Sequence, residues 1–170
     1  MNAPNPKSER AGGSDALGQL APPEDGRPVF QLHLRVRTYE TDALGHVNNA
    51  VYLHYMEQTA TEHSEALGWT TQRYAEVGRQ FVIRQHEIVY LGAAVAGDRL
   101  TVTTWAEEMG GARAWRCYLI HNRDTGQRLV AARTLWVWLD AKTGRPRPLP
   151  RDLVATFTER AGDSGMGQQM

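Results

Sequence analysis

The feature that most constrains the fold is one helical segment with a wide apolar arc, which follows one predicted strand and precedes four others. The helix is predicted over residues 50–67 and stops at Gly68. On a wheel of about 100° per residue, the arc consists of Tyr52, Tyr55, Met56, Thr59, Ala60, His63, Ala66 and Leu67, with Leu53 at its margin. The opposite face consists of His54, Gln58, Thr61 and Glu65. An arc this wide predicts a helix that other elements largely wrap.

Strand patterns lie on both sides of that helix. Residues 29–37 alternate apolar and polar side chains, which predicts a half-buried strand. Four further strands are predicted at residues 79–91, 99–109, 112–122 and 127–139, and short helical turns at residues 71–76 and 152–157. The short links between consecutive strands favour antiparallel hairpins. The sequence therefore predicts an α+β fold, a five-stranded antiparallel sheet wrapped around a central long helix.

The two ends of the chain differ in composition from its middle. Residues 1–28 are rich in Pro, Gly, Ser and acidic residues, residues 161–170 are similar, and both carry few large apolar side chains. Their burial could not offset the entropy of ordering the chain. We therefore expect a disordered extension at 1–28, one domain at 29–160 and a disordered tail at 161–170.

Charge and cysteine content exclude several classes of function. Lys plus Arg and Asp plus Glu each total 19, so the neutral chain has no overall field that favours nucleic acid or a membrane surface. Cys117 is the only cysteine, which excludes an internal disulfide and a multi-cysteine metal site. The sequence contains neither the apolar core of a secretory signal nor an apolar stretch long enough to span a bilayer. We expect a cytoplasmic protein that uses no metal and no cofactor.

Directly before the helix, the stretch YETDALGHVNNAVY gathers polar groups. Asn48 or Asn49 can cap the helix, Gly45 permits a backbone conformation or a close approach that other residues resist, and His46 can orient a ligand or bond within its own loop. The free N–H groups and partial positive charge of a helix start suit an oxygen that becomes negative, as in acyl transfer. Asp42 could attack a carbonyl carbon or take a proton from water, or it could be only a turn residue.

The stretch from Tyr39 to Tyr52, with Glu57 further along the helix, resembles the hot-dog fold acyl-CoA thioesterases of the 4-hydroxybenzoyl-CoA thioesterase superfamily. The order of one strand, one helix and four strands is also that fold's order. The resemblance implies that Asp42 is the nucleophile or the general base and that the backbone N–H of Asn49 or of its neighbour polarises the thioester carbonyl. Glu57 matches a helix position that supplies a catalytic glutamate in some related enzymes.

Substrate contacts follow from the same resemblance. We expect His46 to assist catalysis and Gly45, Asn48 and Tyr52 to bind the acyl-CoA substrate. The phosphates of CoA require basic residues, for which the candidates are Arg73, Arg79, Arg84 and Arg113, with Arg84 preferred. The H-V-N-N form of the loop is closer to long-chain acyl-CoA and acyl-carrier-protein thioesterases than to aromatic-specific ones.

The resemblance also implies a homodimer or homotetramer in which the active site lies at a subunit interface. Two alternatives remain on the same fold, a non-catalytic module that binds acyl thioesters and a thioesterase that acts on acyl carrier protein. A hydratase or dehydratase is a weaker alternative, because hot-dog enzymes of that kind arrange their polar residues differently.

Overall fold

The computed structural model describes residues 13–160, which form an α+β fold with one sheet packed on one long helix. The helices are α1 (Gly13–Gly18), α2 (Asn49–Ala66), α3 (Thr71–Val77) and α4 (Arg151–Thr158), and the strands are β1 (Val29–Arg35), β2 (Arg79–Tyr90), β3 (Arg99–Gly110), β4 (Arg113–Asn122) and β5 (Arg128–Asp140). The five strands are antiparallel and lie in the order β1-β3-β4-β5-β2. The predicted architecture and element order are confirmed. None of these described helices is both long and apolar enough to cross a membrane.

Helix α2 packs against the sheet through the face that its periodicity predicts. The buried residues of the helix are Tyr52, Tyr55, Met56, Thr59, Ala60 and His63, and the exposed face includes His54, Gln58, Thr61 and Glu65. Full burial of a side chain such as Met56 stabilises the fold by about 1.5–3 kcal/mol. The prediction is wrong at the end of the helix, where Ala66 is exposed and Leu67 is half-buried. There the helix ends, and the chain turns away at Gly68 (φ +80°).

The predicted hairpin between β2 and β3 does not form. Strand β2 pairs with β5, and β3 pairs with β1 and β4, so residues 91–98 connect one edge of the sheet to strands on its other side. The middle of this link is fixed in place because Ala94 is fully buried and its carbonyl accepts the N–H of Val47 at 2.8 Å. The link therefore crosses the start of α2 and brings the end of β2 beside it. The other two predicted hairpins, β3 with β4 and β4 with β5, are confirmed.

Part of the segment before β1 packs on the sheet. Residues 13–28 include α1, in which Leu17 is buried, and Leu20 packs against a cluster on the sheet formed by Trp105, Cys117, Leu119 and Ala131. Arg128 Nη1 donates to the carbonyl of Gly18 at 2.7 Å. An apolar patch on the sheet accounts for this packing, because burying even two leucine side chains stabilises the segment. The expected disorder of residues 1–12 and 161–170 concerns residues that lie outside the described range.

Candidate active site

Asp42 is held by the loop in which it lies. Its Oδ1 accepts the N–H of Leu44 at 2.8 Å and that of His46 at 3.2 Å, and its own N–H donates to the His46 carbonyl at 2.8 Å. This is the local bonding expected of a turn aspartate. It occupies only one carboxylate oxygen, since Oδ2 accepts no hydrogen bond from the residues that the structure describes. The side chain is exposed, so its orientation is fixed while one oxygen remains free for chemistry.

Gly45 allows this loop to close. Its φ is +78°, in the left-handed region that favours glycine, and its N–H donates to the Asp42 carbonyl at 3.0 Å. No atom of a non-neighbouring residue lies within 4 Å of the position that a Cβ would occupy. Of the two roles that the sequence left open for Gly45, the special backbone conformation is present in the structure.

The two asparagines occupy different positions at the start of α2. Asn48 is the N-cap, and its Oδ1 accepts the N–H of Ala50 at 3.0 Å. Asn49 is the first helical residue, and its backbone N–H meets no acceptor among residues 13–160. A free N–H at this position carries the positive end of the helix dipole. The helix start therefore presents a hydrogen-bond donor suited to a developing negative oxygen.

These groups meet in a cavity of about 370 Å³, here called the Asp42 cavity. Its lining residues are Asp42, His46, Val47, Asn49, Tyr52, Tyr90, Leu91, Gly92 and Ala93. Four of the sequence-predicted site residues are thus brought together from the loop and from α2. The other wall comes from the end of β2 and from the link that follows it. Residues that carry a carboxylate and a free amide N–H thus line one cavity, and acyl transfer can use both groups.

Tyr90 is a polar lining residue of the Asp42 cavity that the sequence did not predict. Its hydroxyl donates to the Asn49 carbonyl at 3.2 Å, and its ring lies 5.8 Å from that of Tyr52. No local pattern at the end of β2 marks Tyr90 as functional. Its place follows from the strand order, because β2 lies at the sheet edge and the link after it crosses the start of α2. The predicted β2–β3 hairpin gave no reason to expect Tyr90 at the start of α2.

Tyr52 connects the cavity to the core. It is 2% exposed, and its hydroxyl accepts the N–H of Ala94 at 3.2 Å. Burial raises the pKa of Tyr52 above its ordinary value of 10.0, so the hydroxyl stays protonated at neutral pH. Tyr52 thereby holds the link against α2 and also forms part of the cavity wall.

His46 is tied into the loop by its backbone and not by its ring. Its N–H and carbonyl both bond to Asp42, as described, and its side chain is exposed at the cavity. The imidazole forms no hydrogen bond to another residue of the described range. It is therefore free to contact a ligand. No group of three or more His, Cys, Asp and Glu side chains within residues 13–160 is placed to hold a metal ion.

Glu57 and Arg84 do not reach the Asp42 cavity within one chain. Glu57 lies on the exposed face of α2, and Arg84 is exposed on β2 at the irregularity between Ile83 and Gln85. Strand β2 is an edge of the sheet, so Arg84 lies on the side of the molecule where a second chain could add. The structure brings neither of them to Asp42.

The candidate arginines for CoA phosphates fall into two groups. Arg73 pairs with Asp152 at 3.0 Å, and Arg79 pairs with Asp140 at 2.7 Å. Arg84 and Arg113 are exposed and form no ion pair with any residue of the described range. The second pair is therefore better placed to meet a phosphate without first losing a partner.

Comparison with known proteins gives matches over most of the chain. Residues 36–157 match the model of the thioesterase-like superfamily. The chain is 30% identical over 127 residues to the long-chain acyl-CoA thioesterase FadM of Escherichia coli (strain K12), which covers 73% of this chain and 93% of the relative. It is 29% identical over 135 residues to the chloroplastic acyl-acyl carrier protein thioesterase ATL3 of Arabidopsis thaliana, which covers 78% of this chain and 70% of the relative.

The fold is similar to that of solved thioesterases. A 1,4-dihydroxy-2-naphthoyl-CoA thioesterase from Synechocystis superposes with a TM-score of 0.70 at 21% identity, covering 76% of this chain and 96% of that chain. A putative oleoyl thioesterase from Lactobacillus plantarum superposes with a TM-score of 0.73 at 23% identity, covering 77% and 51%. At such low identity these structures support the hot-dog architecture and not a particular substrate.

Proposed function

Because this chain belongs to the thioesterase-like superfamily of hot-dog fold enzymes and is a hydrolase of acyl-CoA or acyl-carrier-protein thioesters, we propose that Asp42 is its catalytic side chain and a long-chain acyl-CoA its substrate. One observation carries the proposal. The free Oδ2 of Asp42 and the free N–H of Asn49 belong to residues that line one cavity at the start of α2.

In the proposed reaction, the thioester carbonyl oxygen accepts a hydrogen bond from the Asn49 N–H. Asp42 either attacks the carbonyl carbon or takes a proton from a water molecule that attacks it. Direct attack forms an acyl-aspartyl anhydride and releases the CoA thiolate, and water then cleaves the anhydride. Water activation releases the thiolate from a tetrahedral intermediate. Both routes end in free acid and CoA, and in both the helix start stabilises the negative oxygen.

The remaining cavity residues have supporting roles in this proposal. Gly45 keeps the loop closed so that Asp42 Oδ1 stays bonded and Oδ2 faces the substrate. Tyr90 fixes the Asn49 carbonyl and hence the peptide plane beside the oxyanion donor. Tyr52 forms the wall for the acyl thioester, His46 contacts the ligand at the cavity, and Asn48 keeps the helix start ordered through its cap.

We further propose that two copies pair along β2. This strand is an edge of the sheet, and its 12 residues present unpaired backbone groups, whereas the other edge strand, β1, has 7 residues. The Asp42 cavity lies at the end of β2, so such pairing would place it near the partner. Tyr90, Leu91 and Val95 expose apolar surface there, at 42%, 44% and 46%. Sedimentation velocity should show a dimer or tetramer at micromolar concentration, and a strict monomer would refute the pairing.

Glu57 and Arg84 enter the proposal through this pairing. Burial lowers the pKa of His86 on β2, and the Glu57 carboxylate opposes that shift, which supports a role for Glu57 at this edge. We propose that Glu57 contributes to the site across the interface and that Arg84 binds a CoA phosphate there. Their charge-removing variants Glu57→Gln and Arg84→Met should then affect different parameters, kcat for the first and KM for the second.

The test is release of free thiol from a panel of short-chain, long-chain and aromatic acyl-CoAs and from the matching acyl-carrier-protein thioesters. We expect the highest kcat/KM with a long-chain acyl-CoA, and a higher value for the carrier-protein substrate would favour that alternative. Asp42→Asn should lower kcat by about 10²–10⁴-fold. The control Asp124→Asn, an exposed aspartate in the β4–β5 turn, should leave kcat unchanged.

Three results would contradict the proposal at different levels. Full turnover by Asp42→Asn would refute the assigned mechanism while leaving the activity. Tight binding of acyl-CoA by the wild type with no thiol release from any substrate would instead identify a binding module. Hydration of an enoyl-CoA without thiol release would point to the hydratase alternative.

A further inference from the structure

A second and larger cavity lies at the other end of α2. Its volume is about 610 Å³, within the roughly 300–1,000 Å³ of small-molecule sites. Helix α2 lines it through residues 60–65, whereas it lines the Asp42 cavity through Asn49 and Tyr52, and the two cavities share no lining residue. At a rise of about 1.5 Å per residue, these parts of α2 are separated by about 12 Å or more. The second space is therefore a separate site, here called the Arg116 cavity.

Arg116 is a buried cation on the wall of this cavity. Its side chain comes from the middle of β4 and the residue is only 8% exposed. Its Nη1 donates to Nδ1 of His63 at 2.7 Å and lies 3.5 Å from Thr104 Oγ1. No carboxylate in the described part of the chain pairs with it. Glu65 also lines the cavity, but it is exposed and forms no ion pair with Arg116.

His63 fixes the guanidinium and cannot neutralise it. Arginine is only a donor, so His63 Nδ1 must accept and the ring proton must lie on Nε2. Burial, with the charge of Arg116 as the second cause, lowers the pKa of His63 from 6.5 to about 3. The ring is stacked on Phe30 at 5.5 Å, and its Nε2 is buried without a hydrogen-bond partner in the described residues. The guanidinium is thus positioned by a neutral ring while its charge remains uncompensated.

The rest of the cavity suits an apolar body. Aromatic side chains form much of its wall: Trp69, Tyr74, Phe81, Trp115, Trp136 and Phe157. The guanidinium of Arg116 lies 5.2 Å from the centroid of the Phe157 ring. A buried charge without a counter-ion costs free energy, which an anionic ligand group would offset. Planar guanidinium groups bind carboxylates with two parallel hydrogen bonds.

We propose that the Arg116 cavity binds a monocarboxylic acid with an apolar body, its carboxylate on Arg116 and its body among the aromatic side chains. A monoanion matches the single buried cation, whereas a phosphate would bring additional negative charge into an apolar space. The proposal concerns binding alone and does not rest on the proposed thioesterase reaction. The same class of molecule would nevertheless be the acid product of that reaction.

Binding can be measured by isothermal titration calorimetry on the full chain with three probes of equal chain length. The probes are dodecanoate, dodecanol and dodecyltrimethylammonium, each below its micelle concentration. We expect dodecanoate to bind at least about tenfold more tightly than dodecanol and the cationic probe to bind least. Equal affinity of dodecanoate and dodecanol for the wild type would overturn the proposal without any variant.

Variants locate the site. Arg116→Met keeps the side-chain length and should weaken dodecanoate by about tenfold or more while leaving dodecanol unchanged. The matched control Arg113→Met changes an exposed arginine of the same strand that does not line the cavity, and it should alter neither affinity. Tyr90→Ala, in the Asp42 cavity, should also leave dodecanoate binding unchanged. Near-wild-type dodecanoate affinity in a folded Arg116→Met protein, or its loss in Tyr90→Ala, would assign the acid to another site.

If Arg116→Met does not fold, as judged by near-ultraviolet circular dichroism, a blocking variant replaces it. Ala75 is exposed on α3 and lines the cavity, so Ala75→Trp adds bulk there without disturbing the core. It should weaken both dodecanoate and dodecanol. Unchanged binding of both probes to Ala75→Trp would overturn the proposal.

Discussion

The N-cap of α2 allows the stability of the helix start to be separated from its chemistry. Asn48 Oδ1 accepts the N–H of Ala50 at 3.0 Å, directly beside the proposed oxyanion donor, Asn49. Asn48→Ala removes this acceptor, and we expect it to lower the free energy of unfolding by about 1 kcal/mol, within a range of roughly 0.5–2 kcal/mol. Asn48→Asp keeps an acceptor, and its charge interacts with the helix dipole favourably by about 0.3–1 kcal/mol. The aspartate variant should therefore be as stable as the wild type or slightly more stable.

For Asn48→Asp, catalysis should change in the opposite sense to stability, and kcat/KM should fall. A carboxylate at position 48 lies close to the oxygen that becomes negative, and two unit charges about 8 Å apart repel by about 2 kcal/mol at an effective dielectric constant of about 20. Because the site is solvent-exposed, we expect somewhat less, about 1.4 kcal/mol, which corresponds to a tenfold loss of kcat/KM. Asn48→Asp should thus combine full stability with reduced turnover.

Urea unfolding followed by tryptophan fluorescence gives the free energies, and thiol release from the best acyl-CoA substrate gives kcat/KM. An Asn48→Ala variant as stable as the wild type would mean that the cap contributes nothing. Wild-type turnover by Asn48→Asp would mean that no negative oxygen develops at this helix start. That second result would refute the reasoning behind the site.

Three other perturbations test separate parts of the account. Gly45→Ala forces a side chain into a backbone conformation at φ +78°, so we expect the free energy of unfolding in urea to fall by about 1–2 kcal/mol and kcat/KM to fall as well. No change in either quantity would refute the role of the loop. Tyr90→Phe removes the hydrogen bond to the Asn49 carbonyl and should lower the unfolding free energy by about 0.5–1.5 kcal/mol, which the same unfolding assay would contradict by showing no change. The pKa of His63 is lowered to about 3, so its contribution to the free energy of unfolding is complete above about pH 6.5 and is lost as the pH falls toward 3. The loss between pH 7 and pH 5 is about 2 kcal/mol. His63→Gln should remove that share of the pH dependence in urea unfolding at the two pH values, and an unchanged dependence would show that another group causes it.

Periodicity was sufficient to predict the central helix and the five strands. The buried face of α2 agrees with its apolar arc through His63 and fails only at Ala66 and Leu67, where the helix ends. The positions of turns also indicated where strands stop. Strand partners were harder, because a short link can reverse the chain or cross the sheet. Residues 91–98 cross the sheet. The sequence could not show this, because the burial of Ala94 and its bond to Val47 depend on contacts distant in sequence.

The candidate site was predictable to the extent that it lies in one stretch of sequence. Asp42, His46 and Asn49 are neighbours along the chain and share a cavity. Tyr90 joins them only through the strand order, and sequence alone gives no reason to select it. The same limit applies to Arg116, whose burial without a carboxylate depends on the packing of α2, β3 and β4. The packing of Leu20 was not predicted, because the few leucines of the N-terminal segment matter only once the sheet offers an apolar patch.

The most direct measurement is a crystal structure with a ketone analogue of a long-chain acyl-CoA, in which a methylene group replaces the thioester sulfur. The account predicts the carbonyl oxygen about 2.7–3.1 Å from the Asn49 backbone nitrogen. It also predicts Asp42 Oδ2, or a water molecule bonded to it, about 3–3.5 Å from the carbonyl carbon. An analogue whose carbonyl lies away from the start of α2, with Asp42 facing solvent, would contradict it.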